Sequence, residues 1–154
     1  LSKVYIIFIT RNSTMKSYTE FGPGVTGGPD IPTAFTGFGG ALLTMPDFDG
    51  DNIFELVVGA RFMDDPGSLN RRAGKSYFCF LHANGTIKRF TEHGEWSLGV
   101  NQAMPNVPLD ECGASLATIG DINRDSYKQR RPTEIAYPLR PSVPDFLMGC
   151  PQGA

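Results

Sequence analysis

The stretch PDFDGDNIFELVVGA (46–60) places carboxylates at Asp47, Asp49, Asp51 and Glu55, then runs into an apolar segment. Oxygens at loop positions one, three and five, a main-chain carbonyl at seven and a carboxylate at nine make a cage for a hard cation such as Ca2+. In this loop those positions are Asp47, Asp49, Asp51, the carbonyl of Ile53, and Glu55. Carboxylates this crowded repel one another unless a cation or a charged partner compensates them. The helix–loop–helix calcium motif is excluded: its sixth-position Gly is Asn52 here, its twelfth-position Glu is Val58, and the flanks read as strands. The competing reading is a solvated acidic hairpin loop.

A second loop on the same plan counts against that alternative. In DINRDSY the donors are Asp121, Asn123, Asp125 and the carbonyl of Tyr127. Its ninth-position carboxylate is displaced by the insertion KQRRPTEIAYPLRPSVP (128–144), and either Glu134 or Asp145 could return to the site. Asp145 is favoured, because it precedes FLMGC as Glu55 precedes LVVGA. With fewer carboxylates and Arg124 alongside, this second site is expected to be the weaker.

Other chemistry finds little support. There is no G-x-S-x-G elbow, no H-E-x-x-H and no Cys/His cluster with zinc spacing. His82 reads as a strand-end residue and His93 as a loop residue, both solvated. Nothing in the sequence brings Glu95 and Asp110 together as a carboxylate pair. The expectation is a chain without catalysis of its own. A formal charge of −2 gives no electrostatic case for nucleic acid or an anionic membrane. The basic clusters, Arg71–Arg72 and KQRR (128–131), read as solvated loop charges. No apolar run approaches the roughly 18 residues of a membrane span. The chain opens at Leu1 with no Met and no signal peptide, which predicts a processed or partial polypeptide.

The elements that must position the loops follow from an internal repeat. VYIIFITRNSTMKSY (4–18) matches SYFCFLHANGTIKRF (76–90) at an offset of 72. FGGALLTMPDFDGD (38–51) matches CGASLATIGDINRD (112–125) at an offset of 74, and ELVVGA (55–60) answers DFLMGC (145–150). Eighteen Gly, twelve Pro and eleven Phe fit a turn-rich β protein. Each unit reads as four short strands, ALLTMP (41–46), ELVVGA, KSYFCFL and TIKRFTEH, with the acidic loop between the first two. The spacing predicts an all-β fold of four-stranded antiparallel blades, in a β-propeller or a related tandem β array. The phase predicts a half blade at 1–20, a complete blade at 38–92 and a half blade at 112–154 carrying the Pro-rich insertion. Half blades expose sheet edges that need partners, so further copies or further repeats of the same protein are expected.

These residues resemble a known family. FGGALLTMPDFDGDNIFELVVGA is similar to the FG-GAP repeat of integrin α-subunit β-propellers, whose pattern is Phe-Gly, a strand, an Asp-x-Asp-x-Asp loop, then a strand ending in Gly-Ala-Pro. GKSYFCFLHANGTIKRF is similar to the third and fourth strands of such blades. Departures are Arg61 where Pro is usual, Cys112 in place of Phe, and the interrupted second loop. The resemblance implies a structural Ca2+ that pins the hairpin between strands one and two, and implies no catalysis.

Two features point outside the cytosol. NST (12–14) and NGT (84–86) are N-glycosylation sequons at equivalent turns, making Asn12 and Asn84 candidate carriers of N-linked glycans. The same residues are also good turn chemistry. Cys112 opens strand one of the last unit and Cys150 closes its strand two, so an antiparallel pair predicts a Cys112–Cys150 disulfide; Cys79, in an apolar strand, is expected to be a buried free thiol. Together these predict a calcium-stabilised extracellular structural unit of a glycoprotein fibril or surface appendage. The alternative is a segment of a closed propeller for adhesion, holding a ligand by the loops at 21–34 and 93–111, with Trp96 and 131–144 as contacts.

Overall fold

The computed structural model describes residues 2–22, 24–25, 27–31, 36–63, 72–94, 110–123 and 144–151. Among these the elements are β1 (Val4–Ile9), β2 (Met15–Phe21), β3 (Phe38–Met45), β4 (Glu55–Ala60), β5 (Lys75–Leu81), β6 (Ile87–Gly94), β7 (Ser115–Gly120) and β8 (Asp145–Gly149), with no helix. They form three antiparallel sheets in the orders β1–β2, β3–β4–β5–β6 and β7–β8. The fold is all-β, as the turn-rich composition and short strands predict. The segment ECGASLATIG, whose Gly content argues against a helix, contributes β7.

Strand chemistry explains the layering. Side chains alternate across a strand, yet β4 and β5 are buried at every position. Such strands need cover on both faces. On one face Leu56, Val58, Tyr77 and Cys79 join Val4, Phe21 and Phe38 in a common core. On the other, Val57, Phe78 and Phe80 join Met45, with Leu116 and Phe146 packed against them. The sheet β1–β2 therefore covers the first face and β7–β8 the second. Edge-to-face rings carry the first contact onward: Phe21 to Phe38 at 6.4 Å, then Phe38 to Tyr77 at 5.8 Å. Each fully buried Val or Phe here contributes about 1.5–3 kcal/mol from area removed from water.

The repeat persists at the level of hydrogen-bond register. Tyr5 pairs Glu20 and Tyr77 pairs Glu92; the β1–β2 ladder shifts between Phe8 and Ile9, and the β5–β6 ladder shifts between Phe80 and Leu81. The turns agree as well: Thr10 N–H donates to Thr14 O and His82 N–H to Thr86 O, each at 2.8 Å. Likewise Leu42 pairs Val58 in β3–β4, as Leu116 pairs Met148 in β7–β8. Strand one is longer than the 41–46 expected, because β3 begins at Phe38. A register irregularity between Phe38 and Leu42 absorbs the extra residues.

The central sheet and β7–β8 also meet backbone to backbone. A Cβ on Gly59 would lie 2.0 Å from the carbonyl oxygen of Gly113. No other residue fits at Gly59 without moving main chain.

Candidate metal centre

The first acidic loop leaves β3 at Met45, which pairs with Glu55 at the start of β4. Asp47 organises the turn between them. Its Oδ1 accepts the N–H groups of Gly50 at 2.6 Å and Asp51 at 3.1 Å, and its Oδ2 accepts that of Asn52 at 2.8 Å. Asp51 Oδ1 accepts the Ile53 N–H at 2.8 Å. The chain reverses through positive φ at Gly50 (84°) and Asn52 (66°). Those N–H bonds, the one from Asn52 foremost, hold the Asp47 carboxyl below its usual range.

The turn gathers the four carboxylates. Asp47, Asp49, Asp51 and Glu55 each offer one oxygen, and all four atoms lie within 4.8 Å of one another. This acidic group can hold a metal ion. Ile53, whose carbonyl the sequence puts forward as a fifth donor, is held in this turn by its N–H bond to Asp51 Oδ1.

Glu55 differs in kind from the three aspartates. It is only 1% exposed. One oxygen, Oε2, accepts the Leu81 N–H at 2.9 Å, while Oε1 is buried with no hydrogen-bond partner. Burial pushes its carboxyl above the usual range, opposed by the Leu81 bond and reinforced by Asp49 and Asp51. A buried carboxylate oxygen without a partner is costly unless a proton or a cation neutralises it. The donor set is oxygen only, which suits a hard cation.

Sequence reasoning did not identify Lys88 as part of this site. Its ammonium reaches from β6 to Asp49 Oδ2 at 3.2 Å and is also hydrogen-bonded to Asp51 Oδ2. The contact with Asp51 is the first cause holding that carboxyl down and the Lys88 ammonium up. The only available signal was that Lys88 matches Lys16 in the repeat.

The second loop is less complete. Asp121 Oδ1 is buried without a partner, and the Ile122 N–H donates to Asp145 Oδ2 at 3.0 Å. Asp145 therefore does return to this loop. It pairs with Gly120 across an irregularity that follows Thr118, whereas strict repetition of Met45–Glu55 would pair it with Ile119. Asn123 is exposed. Asp125, Tyr127 and Glu134 lie outside the described residues.

The remaining candidates fall as follows. Cys112 and Cys150 are disulfide-bonded (S–S 2.07 Å), at the positions equivalent to the paired Phe38 and Ala60. Cys79 is free and buried, and burial, helped by Glu55, pushes its thiol up to about 12, so it is unreactive. His82 is exposed. The reading of His93 as a solvated loop residue is corrected: it belongs to β6 and packs edge-on against Phe146 at 5.7 Å. Burial lowers its pKa from the ordinary value. Asp110 is buried, while Glu95 and Trp96 lie outside the described residues. Asn12 and Asn84 are exposed in equivalent turns, and Asn84 Oδ1 accepts both the N–H (3.0 Å) and the hydroxyl (2.7 Å) of Thr86. Among the described residues, no helix is long and apolar enough to cross a membrane. No family model and no curated protein matches this chain.

Proposed function

We propose that the chain is a Ca2+-stabilised structural repeat unit of an extracellular assembly, a glycoprotein fibril or surface appendage, with no catalysis of its own. The observation that carries the reading is the buried, partnerless Glu55 Oε1 beside three aspartate carboxylates. Asp47, Asp49, Asp51 and Glu55 would hold the ion, which supplies the positive charge that Glu55 lacks. Its work is mechanical. Glu55 opens β4 and Asp47 closes the turn after β3, so one ion ties the loop to the central sheet and couples binding to folding. The second loop is proposed as a weaker site, with Asp121, Asn123, Asp125, Tyr127 and Asp145 as its donors. The disulfide favours an oxidising compartment, which supports secretion and N-linked glycans on Asn12 and Asn84.

A second reading, a segment of an adhesive β-propeller, is favoured by the face-to-face stacking of three antiparallel sheets. In both readings calcium is structural.

Calorimetric titration of the chelator-treated protein with CaCl2, alongside thermal melts, tests the metal. The expected results are saturable calcium binding, a raised Tm, a smaller response to MgCl2, and loss of the response in Glu55→Gln. At calcium a hundred times Kd the stabilisation is about 2.7 kcal/mol. An unchanged Tm at saturating calcium sinks the metal reading.

A further inference from the structure

Among the described residues, three exposed apolar surfaces can be covered by one operation. The first is the outer face of β1–β2, where Tyr5, Ile7 and Tyr18 are 51%, 57% and 57% exposed. The second is the cleft of about 420 Å³ beside β8, lined by Phe78, Phe80, His93 and Phe146. The third pairs Leu147 on the outer face of β8 with Leu42 on the opposite side of the central sheet, at 55% and 52%. Of the six edge strands in the described sheets, β1 and β8 are the two whose counterparts in the four-stranded sheet, β5 and β4, are paired on both sides.

The repeat states what each edge fits. By sequence match and by register, β8 occupies the place of β4, and β1 the place of β5. Within the central sheet those two strands pair Val57 with Phe78 and Val58 with Tyr77. Transferred to the edges, this register sets Leu147 opposite Ile6 and Met148 opposite Tyr5.

We propose that β8 of one copy pairs antiparallel with β1 of a second copy, in the β4–β5 register, completing a four-stranded sheet β7–β8–β1–β2 across the contact. This rests on the reading of the chain as a structural repeat unit and supplies that unit's partner. The side-chain faces agree without adjustment. Phe146 packs inward on the central sheet, and so its neighbour Leu147 points away from it. In the joined sheet Tyr5 and Ile7 of the second copy lie on the Phe146 side, over Phe78 and Phe80. Leu147 lies on the other side, beside Ile6, facing Leu42 of the second copy. Lys3 fits as well. Its counterpart Lys75, beside β4 and bonded to Glu92, has a side chain 3% exposed, whereas Lys3, bonded to Glu20 at the open edge, is 28% exposed. The operation joins two different surfaces, so it propagates copy to copy into a filament, or a ring if the rotation closes.

The test uses the whole chain with its native disulfide intact. Tyr5→Cys protein is mixed with Met148→Cys protein under mild oxidation, and Tyr5→Cys with Leu147→Cys serves as the one-residue slip. The expected result is a covalent dimer, mapped to positions 5 and 148, from the first mixture only, because directly opposed Cβ atoms lie about 4.5–5.5 Å apart. Sedimentation velocity of the parent chain should show concentration-dependent association, weakened about tenfold or more by Ile7→Asp. Calcium titration of Ile7→Asp runs in parallel. Retained calcium binding with lost association supports the pairing, while association without calcium binding would leave the pairing standing and overturn the metal alone. A monomeric parent chain with no crosslink, equal crosslinking in the slipped mixture, or a mapped Tyr5→Cys homodimer would each overturn it.

Discussion

The complete sheet and the two half sheets share a register yet differ in how deeply they are buried. In β3–β4–β5–β6 both central strands are buried throughout, whereas β8 is half-buried and most of β1 alternates with exposed positions. Ladder, bulge and turn repeat between β1–β2 and β5–β6, and the ladder, though not its irregularity, repeats between β3–β4 and β7–β8, so pairing is largely a local property of hairpin chemistry. Burial is not local, because it depends on which layers lie against each face. The same contrast separates the two acidic loops. Glu55 enters the first at the edge of a sheet covered on both faces and loses its solvent, while Asp145 enters the second on a half sheet with one face open. Each loop holds one buried carboxylate oxygen without a partner, Glu55 Oε1 and Asp121 Oδ1, but among the described residues only the first gathers four carboxylate oxygens within 4.8 Å of one another.

The strongest way to break this comparison is at the backbone contact between layers. Gly59→Ala should cost about 3 kcal/mol, because the new methyl must displace the Gly113 carbonyl. Urea unfolding would show it, and a loss below about 0.5 kcal/mol would mean the layers slide freely. Tyr77→Ala in the complete sheet should cost a comparable 3–5 kcal/mol, roughly the range for a buried aromatic. Its repeat counterpart Tyr5→Ala should cost the isolated chain only about 0.5 kcal/mol. Equal losses would dissolve the distinction between whole and half sheets.

Next in size is the disulfide, which spans 38 residues and clamps the half sheet β7–β8. Cys112→Ser with Cys150→Ser should lose about 2–4 kcal/mol. The loss should appear as earlier hydrogen exchange in β7–β8 than in β4–β5. Uniform loss across both sheets would mean that the half sheet folds only as part of the whole.

Smaller effects sharpen the comparison at the first loop. Lys88→Met removes the ammonium that compensates Asp49 and Asp51. In chelator the variant should melt below the parent chain, and added calcium should narrow the gap, since a cation takes over the compensation. A gap that calcium leaves unchanged would assign Lys88 a packing role instead. The smallest effect is the acid response of His93. Burial holds its pKa below the ordinary 6.5, so the unfolded chain takes up the proton first. Stability is therefore retained above that value and falls as pH drops through it toward the depressed folded value. His93→Gln should flatten this part of the profile when urea midpoints are compared at about pH 5 and about pH 7.

Much of this was legible in the residues. The offset of 72 between VYIIFI and SYFCFL already contains the paired bulges and turns, because bulge and turn geometry are set by a few adjacent residues. Cys112 and Cys150 could be paired by placing one at the start and the other at the end of adjacent strands. The crowding at Asp47, Asp49, Asp51 and Glu55 was visible as well, since nine consecutive residues cannot separate far.

Contacts that join distant residues were not legible. His93, at the end of the expected strand TIKRFTEH, read as solvated because nothing near it in sequence announces Phe146. Lys88 read as a strand residue, though its ammonium crosses to a loop 37 positions earlier. By itself the sequence determined the all-β class, the repeat with its register, and the acidic loop, all of which depend on short-range geometry. Only the tertiary structure decided that Glu55 is buried with one oxygen unpaired, and that β4 and β5 are covered on both faces. Desolvation is set by every layer that packs against a residue, and those layers come from remote parts of the chain.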